Sequence, residues 1–423
     1  AAAPASDQRS VVSWFEQQYG ATQIYTEDER IDGRIALQWA PNDDMVVTLD
    51  NNYSQQDIRS DNFGFGIWFN QGGLRNVELD DNGTIIDFTQ EGSQTDFIAG
   101  TDSTFYRTNQ TGLNLEWQVT GNLHFELDGS YAKSWLNPKD DQLSADNADI
   151  GYGFAIGPAL GIRIIGDSKD AIPVLHDYGP NGDESRFADT SIMGSHVTVR
   201  QRQKNSDELW QTQFTGRWEQ DNFSLQFGGK YLQDHFLLEN RNTFANNFWQ
   251  AYAGYGPPSG STTGVLVPAS LFQGTVSTDN FIPGLDGELP PTLLRFTAQD
   301  YQAFLEGLGN PQATNIPGYN YGCCGSNFTG SFDLALDNGS IRDVKEKTWA
   351  LFLRAAYEVD IADMPFHFNA GIRQETTHVT SAGFGQVPVS IARSPGDPTL
   401  LVVTLSDPQP VSTSSDYSYF LPS

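Results

Sequence analysis

"QTGLNLEWQVTGNLHFELDGSYAKSW", residues 110–135, alternates apolar and polar side chains on both sides of a short polar turn. Successive side chains of a strand point to opposite faces. Leu115, Trp117, Phe125 and Leu127 therefore share one face, and the intervening Asn, Glu, His and Asp side chains share the other. The pattern predicts an antiparallel hairpin with one apolar and one polar face, which is typical of a sheet packed on a core or of the wall of a membrane barrel.

Three other segments repeat this pattern, and short turns alternate with long connections along the chain. The predicted strand hairpins lie near residues 33–56, 110–135, 208–236 and 347–376. The long connections lie near residues 57–107, 137–207, 237–345 and 379–416. A soluble sandwich rarely contains connections of such length. The sequence therefore predicts an all-β fold, an antiparallel transmembrane β-barrel segment with short periplasmic turns and long extracellular loops.

The aromatic residues of the hairpins recur at similar distances from the short turns. About 26 Å of strand separates Leu123 from Tyr131 at ~3.3 Å per residue, which is roughly 20 Å of depth for a strand tilted by about 40°. This depth matches the apolar band of a membrane barrel with an aromatic girdle at its edge. The set near the turns is Trp39, Trp117, Trp218 and Tyr357, and the more distant set is Tyr53, Tyr131 and Tyr231.

Composition limits the classes of partner. The 423 residues include 53 acidic and 24 basic side chains, and the resulting net charge of −29 excludes nucleic acid as an expected partner. No apolar run approaches the 18 or so residues of a membrane-spanning helix. The remaining membrane architecture is one that crosses with alternating strands.

No pattern for catalysis or for a cofactor is apparent. The six histidines do not occur at metal-ligand spacing, and the sequence contains no phosphate loop or nucleophile elbow. We therefore expect neither an enzyme nor a bound cofactor or metal. The histidines are His124, His176, His196, His235, His367 and His378.

The long connections contain local structure of their own. Thr297 is a suitable N-cap for apolar residues at helical spacing, so a short helix is predicted over residues 297–308. "VELDDNGTIIDF" predicts a small hairpin around Asn82–Gly83. Cys323 and Cys324 are adjacent and form either a vicinal disulfide or two free thiols.

Clusters of aromatic and amide side chains in the long connections are the candidate ligand-binding residues. Such side chains bind sugars through ring faces and hydroxyl groups. The alternative is that they form small hydrophobic clusters within the loops. The candidates are Trp68, Phe69, Asn70, Trp249, Gln250, Tyr252, Tyr255, Tyr319 and Tyr321.

The hairpins, together with "WALFLRAAYEV" and the closing "DYSYFLPS", resemble the barrel of a TonB-dependent outer-membrane receptor of the long-looped proteobacterial type. The resemblance covers about a quarter of the chain. It includes no sharp functional motif. It implies import of a scarce nutrient across the outer membrane of a Gram-negative bacterium, with energy from the TonB complex. The implied partners are outer-membrane lipid, lipopolysaccharide, the nutrient and a surface lipoprotein. A plug domain, through which TonB would act, and the closing C-terminal strands are not recognised, so we expect the middle part of a larger barrel.

The charge of the loops bears on the imported ligand. Connection 57–107 has nine acidic and three basic residues, and connection 237–345 has nine acidic and four basic residues. An anionic metal chelate would be bound by a basic pocket, so we expect a neutral nutrient of the carbohydrate class. The alternatives are a metal-chelate receptor of the siderophore type, or a passive pore or surface-binding barrel. For import, the two connections should converge over the lumen and bring Trp68 and Trp249 to one cavity.

Overall fold

The fold is all-β and is built on one large antiparallel sheet. The computed structural model describes residues 13–69, 71–91, 94–139, 142–152, 159–164, 173–243, 265–279, 281, 289–310, 313–316, 330–362, 364–394 and 400–423. The strands of the main sheet are β1 (Gln18–Asn42), β2 (Met45–Trp68), β5 (Gln94–Thr120), β6 (Leu123–Asn137), β7 (Ala145–Tyr152), β10 (Gly194–Gln220), β11 (Phe223–Asn242), β14 (Ala335–Leu336), β15 (Arg342–Ile361), β16 (Met364–Gly385) and β19 (Gln409–Pro422). The sheet follows the order β1-β2-β5-β6-β10-β11-β15-β16-β19, with β7 and β14 attached to it.

Smaller elements lie between the long strands. One four-stranded sheet contains β3 (Leu74–Leu79), β4 (Ile85–Glu91), β8 (Ala159–Ile164) and β9 (Pro173–His176). Two separate hairpins are β12 (Thr275–Ser277) with β13 (Thr292–Leu294), and β17 (Pro388–Arg393) with β18 (Leu401–Leu405). The α-helix in the described part of the chain is α1 (Ala298–Gly307). Short 3-10 turns occur at Gln71–Gly73, Pro180–Gly182, Glu184–Arg186, Thr190–Ile192, Ala269–Leu271 and Asn338–Ser340.

The hairpin predicted from residues 110–135 is confirmed. Strands β5 and β6 pair antiparallel, and Trp117 lies opposite Phe125 while Leu115 lies opposite Leu127. Trp117 and Leu127 are each 40% exposed, and their two partners are half-buried, so this face is not enclosed in the protein core. The prediction of a small hairpin around Asn82–Gly83 is also confirmed, by the pairing of β3 with β4.

The strands extend farther into the connections than the sequence analysis expects. Strands β2 and β5 stay in register from Met45 opposite Trp117 to Trp68 opposite Gln94, whereas residues 57–107 were predicted as a loop. The physical reason is that alternation continues through "FGFGIWF", where Phe63, Phe65 and Ile67 share a face and glycines alternate with them.

One face of the sheet, which we call the apolar face, carries a broad exposed band. Leu113 is 48% exposed, and neighbouring strands contribute similarly exposed Leu, Ile and Trp side chains to it. Aromatic pairs border this band. The ring centroids of Tyr131 and Trp210 lie 4.3 Å apart, as do those of Tyr231 and Trp349. The opposite side, the polar face, carries the intervening hydrophilic residues.

Beyond this border the same apolar face is buried by protein. Phe65 is 1% exposed and Phe97 is fully buried, and both pack against Phe187 with ring centroids 5.6 and 5.0 Å away. About 50 Å of strand separates Phe65 from the exposed Leu49 at ~3.3 Å per residue. The covering residues 174–193, 265–272 and 292–308 are called the loop layer, and their apolar side chains join the buried core.

Helix α1 belongs to the loop layer, and its prediction is confirmed. The Thr297 hydroxyl accepts a hydrogen bond from the Asp300 N–H at 3.1 Å, as an N-cap does. Gln302 is buried and donates hydrogen bonds of 2.7 Å to Asp146 on β7 and to Thr198 on β10. These side-chain bonds hold the helix against the sheet.

Two edges of the main sheet are unpaired within the part of the chain that the structure describes. These edges belong to β1 and β19, each of which has a partner on one side only. Among the described residues, no helix is long and apolar enough to cross a membrane.

The burial of the apolar face under the loop layer is testable with Phe65→Ala. Removing a buried Phe ring typically costs about 3–5 kcal/mol, so this variant should loosen the loop layer and raise its amide hydrogen-exchange rate. Phe214→Ala is the matched control, because Phe214 lies on the apolar face but is 38% exposed. Equal protection of residues 174–193 in both variants would contradict the packing.

The attachment of α1 is testable with Gln302→Glu. The change places a second carboxylate beside Asp146, whose pKa is raised by burial although Gln302 hydrogen-bonds it. A buried pair of like charges is unfavourable, so the free energy of unfolding of the loop layer should fall by several kcal/mol at pH 8 and by less at pH 5. Amide hydrogen exchange of the loop layer at the two pH values measures this change. Ala303→Glu, at an exposed position of the same helix, should have little effect on the exchange rates.

Candidate functional site

Three ionisable side chains meet on the polar face, beyond the level of the exposed apolar band. Strand β7 lies between the extensions of β5 and β10, and it pairs with both. Asp96 lies opposite Gly151, and Asp149 lies opposite Ile98, so both carboxylates are on the same face. A register shift between Ser195 and Thr198 adds His196 to them. We call Asp96, Asp149 and His196 the carboxylate–histidine cluster.

The cluster is compact and buried. His196 Nδ1 lies 2.8 Å from Asp96 Oδ2, and one donor atom from each of the three residues lies within 4.8 Å of the others. Asp96 is fully buried, His196 is buried, and Asp149 is half-buried. The second oxygen of Asp96, Oδ1, has no hydrogen-bond partner. A Cβ at Gly151 would stand 2.2 Å from this oxygen, so glycine leaves the space that the carboxylate occupies.

The electrostatics of the cluster follow from this burial. Burial and, to a lesser degree, the nearby Asp96 carboxylate together raise the pKa of Asp149 to about 7, although His196 partly opposes the shift. For His196, burial alone lowers the pKa, but the charge and hydrogen bond of Asp96, with the charge of Asp149, raise it overall. The polar face therefore holds a hydrogen-bonded carboxylate–imidazole pair with a second carboxylate beside it.

Trp68, one of the predicted ligand residues, lies next to the cluster. It ends β2 on the polar face, and its indole ring folds back over Gly66, where an added Cβ would stand 2.9 Å from the ring. Gly66 is paired with Asp96 on β5. The structure thus brings an aromatic surface and a carboxylate–histidine cluster together at one end of the polar face.

The other predicted ligand residues are not assembled around Trp68 in the described structure. Phe69 is 3% exposed, and its ring packs edge-on against Phe88 with centroids 5.0 Å apart. The Phe69 ring thus fills the core between elements in this structure, and a role for Phe69 in ligand binding stays a prediction. Asn70, Trp249, Gln250, Tyr252, Tyr255, Tyr319, Tyr321, Cys323 and Cys324 lie outside the described residues.

The described parts of the long connections do not gather on the polar face as expected. Residues 174–193 and 292–308 pack on the apolar face, where Phe187 and Leu305 join the buried core. The physical reason is that Phe65 and Phe97, which the longer strands carry beyond the exposed band, offer an apolar surface that must be covered. Convergence of Trp68 and Trp249 stays a prediction.

The cluster is absent from the sequence-based candidates. Its members are far apart in sequence, and His196 was read as one of six unconnected histidines. A weak signal exists, because Asp96 and Asp149 each stand next to an apolar residue in an alternating run, "TDFIAG" and "NADIGY". These residues come together in space because β7 is inserted between β5 and β10, and the sequence alone does not show that pairing.

The polar face is acidic along much of its length. Asn114 and Gln56, which lie on it, hydrogen-bond to Glu126 and Asp28. A surface of this charge attracts cationic or neutral ligands more than anionic ones. Acids at polar-face positions include Asp28, Asp32, Asp50, Glu116, Glu126 and Asp128.

Comparison with solved structures gives low-level similarity to receptors for ferric chelates and siderophores. The ferric-catecholate import receptor Fiu from E. coli K12 is 10% identical with a TM-score of 0.31, covering 96% of this chain and 47% of that one. BauA, the ferric preacinetobactin receptor from Acinetobacter baumannii, is 8% identical with a TM-score of 0.27, covering 95% and 52%. The siderophore receptor PiuA from the same species is 8% identical with a TM-score of 0.28, covering 97% and 47%.

The chain spans about half the length of these three solved chains. No protein-family model and no curated protein matches the sequence.

The position of the Trp68 indole is testable with Gly66→Ala. The new methyl group would meet the far edge of the indole ring, so the ring must rotate away from Gly66 while the strand pairing persists. We expect an altered near-UV circular dichroism spectrum with unchanged far-UV signal. Gly33→Ala is the control, because a Cβ at Gly33 meets nothing within 4 Å. Identical near-UV changes in both variants would contradict the contact.

Proposed function

We propose that this chain is part of the barrel of a TonB-dependent outer-membrane receptor that imports a metal chelate. The observation that carries the proposal is the exposed apolar band on one face of the long-stranded sheet. A band of apolar side chains bordered by aromatic rows is the membrane-facing surface of an outer-membrane barrel. Opposite it lies a hydrophilic face, which suits a wet lumen and not a protein core.

Basic residues beyond the aromatic border indicate which end of the strands faces the outside of the cell. Arg107, Lys133, Lys345 and Lys347 occupy apolar-face positions on β5, β6 and β15, just past Tyr131 and Trp349 in the strand register. Lys133 also forms an ion pair with Glu208. In a chain of net charge −29, cations at this level match the anionic headgroups of an outer leaflet. We therefore assign the long connections to the extracellular side.

The proposed barrel is larger than the described sheet. Within the described residues, β1 and β19 each lack a partner strand on their outer edge. Such edges are not tolerated in lipid, because every backbone polar group there needs a partner. We infer that further strands of the same receptor pair with both edges and close the barrel. TonB would act through a plug domain of that whole receptor.

A metal chelate is a better ligand proposal than the carbohydrate that the aromatic clusters suggested. Phe69, one of the aromatic residues on which the carbohydrate prediction was based, is buried and offers no ring face to a sugar in this structure. The receptors with which the chain shares low-level similarity are described as receptors for ferric chelates and siderophores. Because the polar face is acidic, we propose a neutral or cationic chelate over an anionic one.

Uptake by the whole receptor tests the proposal. Cells of a Gram-negative strain without other ferric-chelate receptors should take up a neutral 55Fe-hydroxamate complex only when they express the receptor. An uncoupler of the proton gradient should abolish this uptake, because active import needs energy from the inner membrane. Uptake that persists with the uncoupler would favour a passive pore, and uptake of labelled maltodextrin instead of iron would restore the carbohydrate assignment.

A substitution at Trp68 tests whether the polar face takes part. A stacking contact contributes about 0.5–1.5 kcal/mol, so Trp68→Ala should raise the half-saturating concentration of the 55Fe complex about two- to tenfold. Trp39→Ala is the matched control, since Trp39 lies on the exposed apolar face near a short turn. Equal effects of both variants would remove Trp68 from the ligand path.

A further inference from the structure

The carboxylate–histidine cluster brings together three potential metal ligands from three strands. His196 Nδ1 lies 2.8 Å from Asp96 Oδ2. Asp149 adds a second carboxylate, and one donor atom from each of the three residues lies within 4.8 Å of the others. Two carboxylates held this close in a buried site repel each other unless a proton or a cation lies between them.

The unpartnered oxygen of Asp96 is a second and independent observation. Asp96 is fully buried, and its Oδ1 atom accepts no hydrogen bond. Most buried polar atoms in proteins have a partner, and an exception calls for a ligand, an ion or strain. The absence of a side chain at Gly151 provides room for this oxygen beside the strand that carries Asp149.

We propose that Asp96, Asp149 and His196 bind one divalent first-row transition-metal cation. Carboxylate oxygens and an imidazole nitrogen form a mixed donor set that suits Zn²⁺, Mn²⁺ or Fe²⁺ better than Ca²⁺ or Cu⁺. Ligand bonds of about 2.0–2.2 Å place donor atoms roughly 3–4 Å from one another, so donors now within 4.8 Å need only a small movement of their side chains.

The position of the proposed site between three strands gives the cation a structural role. Its three ligands come from β5, β7 and β10, which are adjacent in the sheet but distant along the chain. A bound cation would cross-link these strands on the polar face, behind the loop layer that packs on their other side. The proposal does not depend on what the receptor imports, because the cation is held by the wall and not carried.

Zinc binding to the purified whole receptor in detergent tests the proposal. After treatment with a chelator and its removal, isothermal titration with Zn²⁺ should show one tight site per chain, and zinc should raise the unfolding temperature. Asp96→Asn and Asp149→Asn should each weaken this site at least tenfold. Asp102→Asn should not, because Asp102 is a polar-face acid of the same strand outside the cluster.

The Asp→Asn variants also separate a loss of zinc binding from a failure to fold. Asp149→Asn removes a repelling charge without changing shape, so its metal-free form should unfold at a temperature equal to or above that of the metal-free wild type. Zinc should raise the unfolding temperature of the wild type and of Asp102→Asn equally, and that of Asp149→Asn by less. Equal zinc stoichiometry and equal stabilisation in the wild type and the Asp96→Asn/Asp149→Asn double variant would overturn the proposal. Failure of iron-chelate uptake, with zinc binding intact, would affect only the proposed function.

Discussion

The unbroken hydrogen-bond ladder between β2 and β5 is the constraint on which the remaining structure depends. Because register is kept from Met45 to Trp68, every side chain of β2 keeps its face along the whole strand. The apolar face of such a long strand therefore passes through two different environments. Its first part is exposed at the level of Leu49, and its last part is covered by protein at Phe65.

Alternation in the sequence predicts the hairpins well, because a period of two is a local property. It also marks α1, where Thr297 and the helical spacing are adjacent in the chain. The same alternation is present in "FGFGIWF", where Phe63 and Phe65 alternate with glycine as in a strand, although the aromatic residues there also resemble a ligand-binding surface. The carboxylate–histidine cluster depends on the pairing of β7 with two distant strands, and no local pattern encodes such long-range pairing.

The two faces of the sheet divide the chemistry of the chain between them. Cationic side chains such as Lys345 stand near the aromatic border of the apolar face, whereas carboxylates dominate the polar face. This separation is a direct result of alternation, since neighbours in sequence lie on opposite sides of the wall. It reconciles a strongly acidic chain with a surface that suits anionic headgroups, and it limits the charge of the ligands that the polar face attracts.

The loop layer has a consequence for the order of folding. Phe187 and α1 contact strands that precede them by long stretches of chain, and closing such long loops is entropically slow. The layer also lies beyond the exposed band, on the opposite side from the short turns. In the orientation proposed above, its segments must be translocated across the membrane before they reach the surface that they cover. The aromatic surface of Phe65 and Phe97 is therefore transiently bare, and its covering is a late step that insertion of the strands must precede.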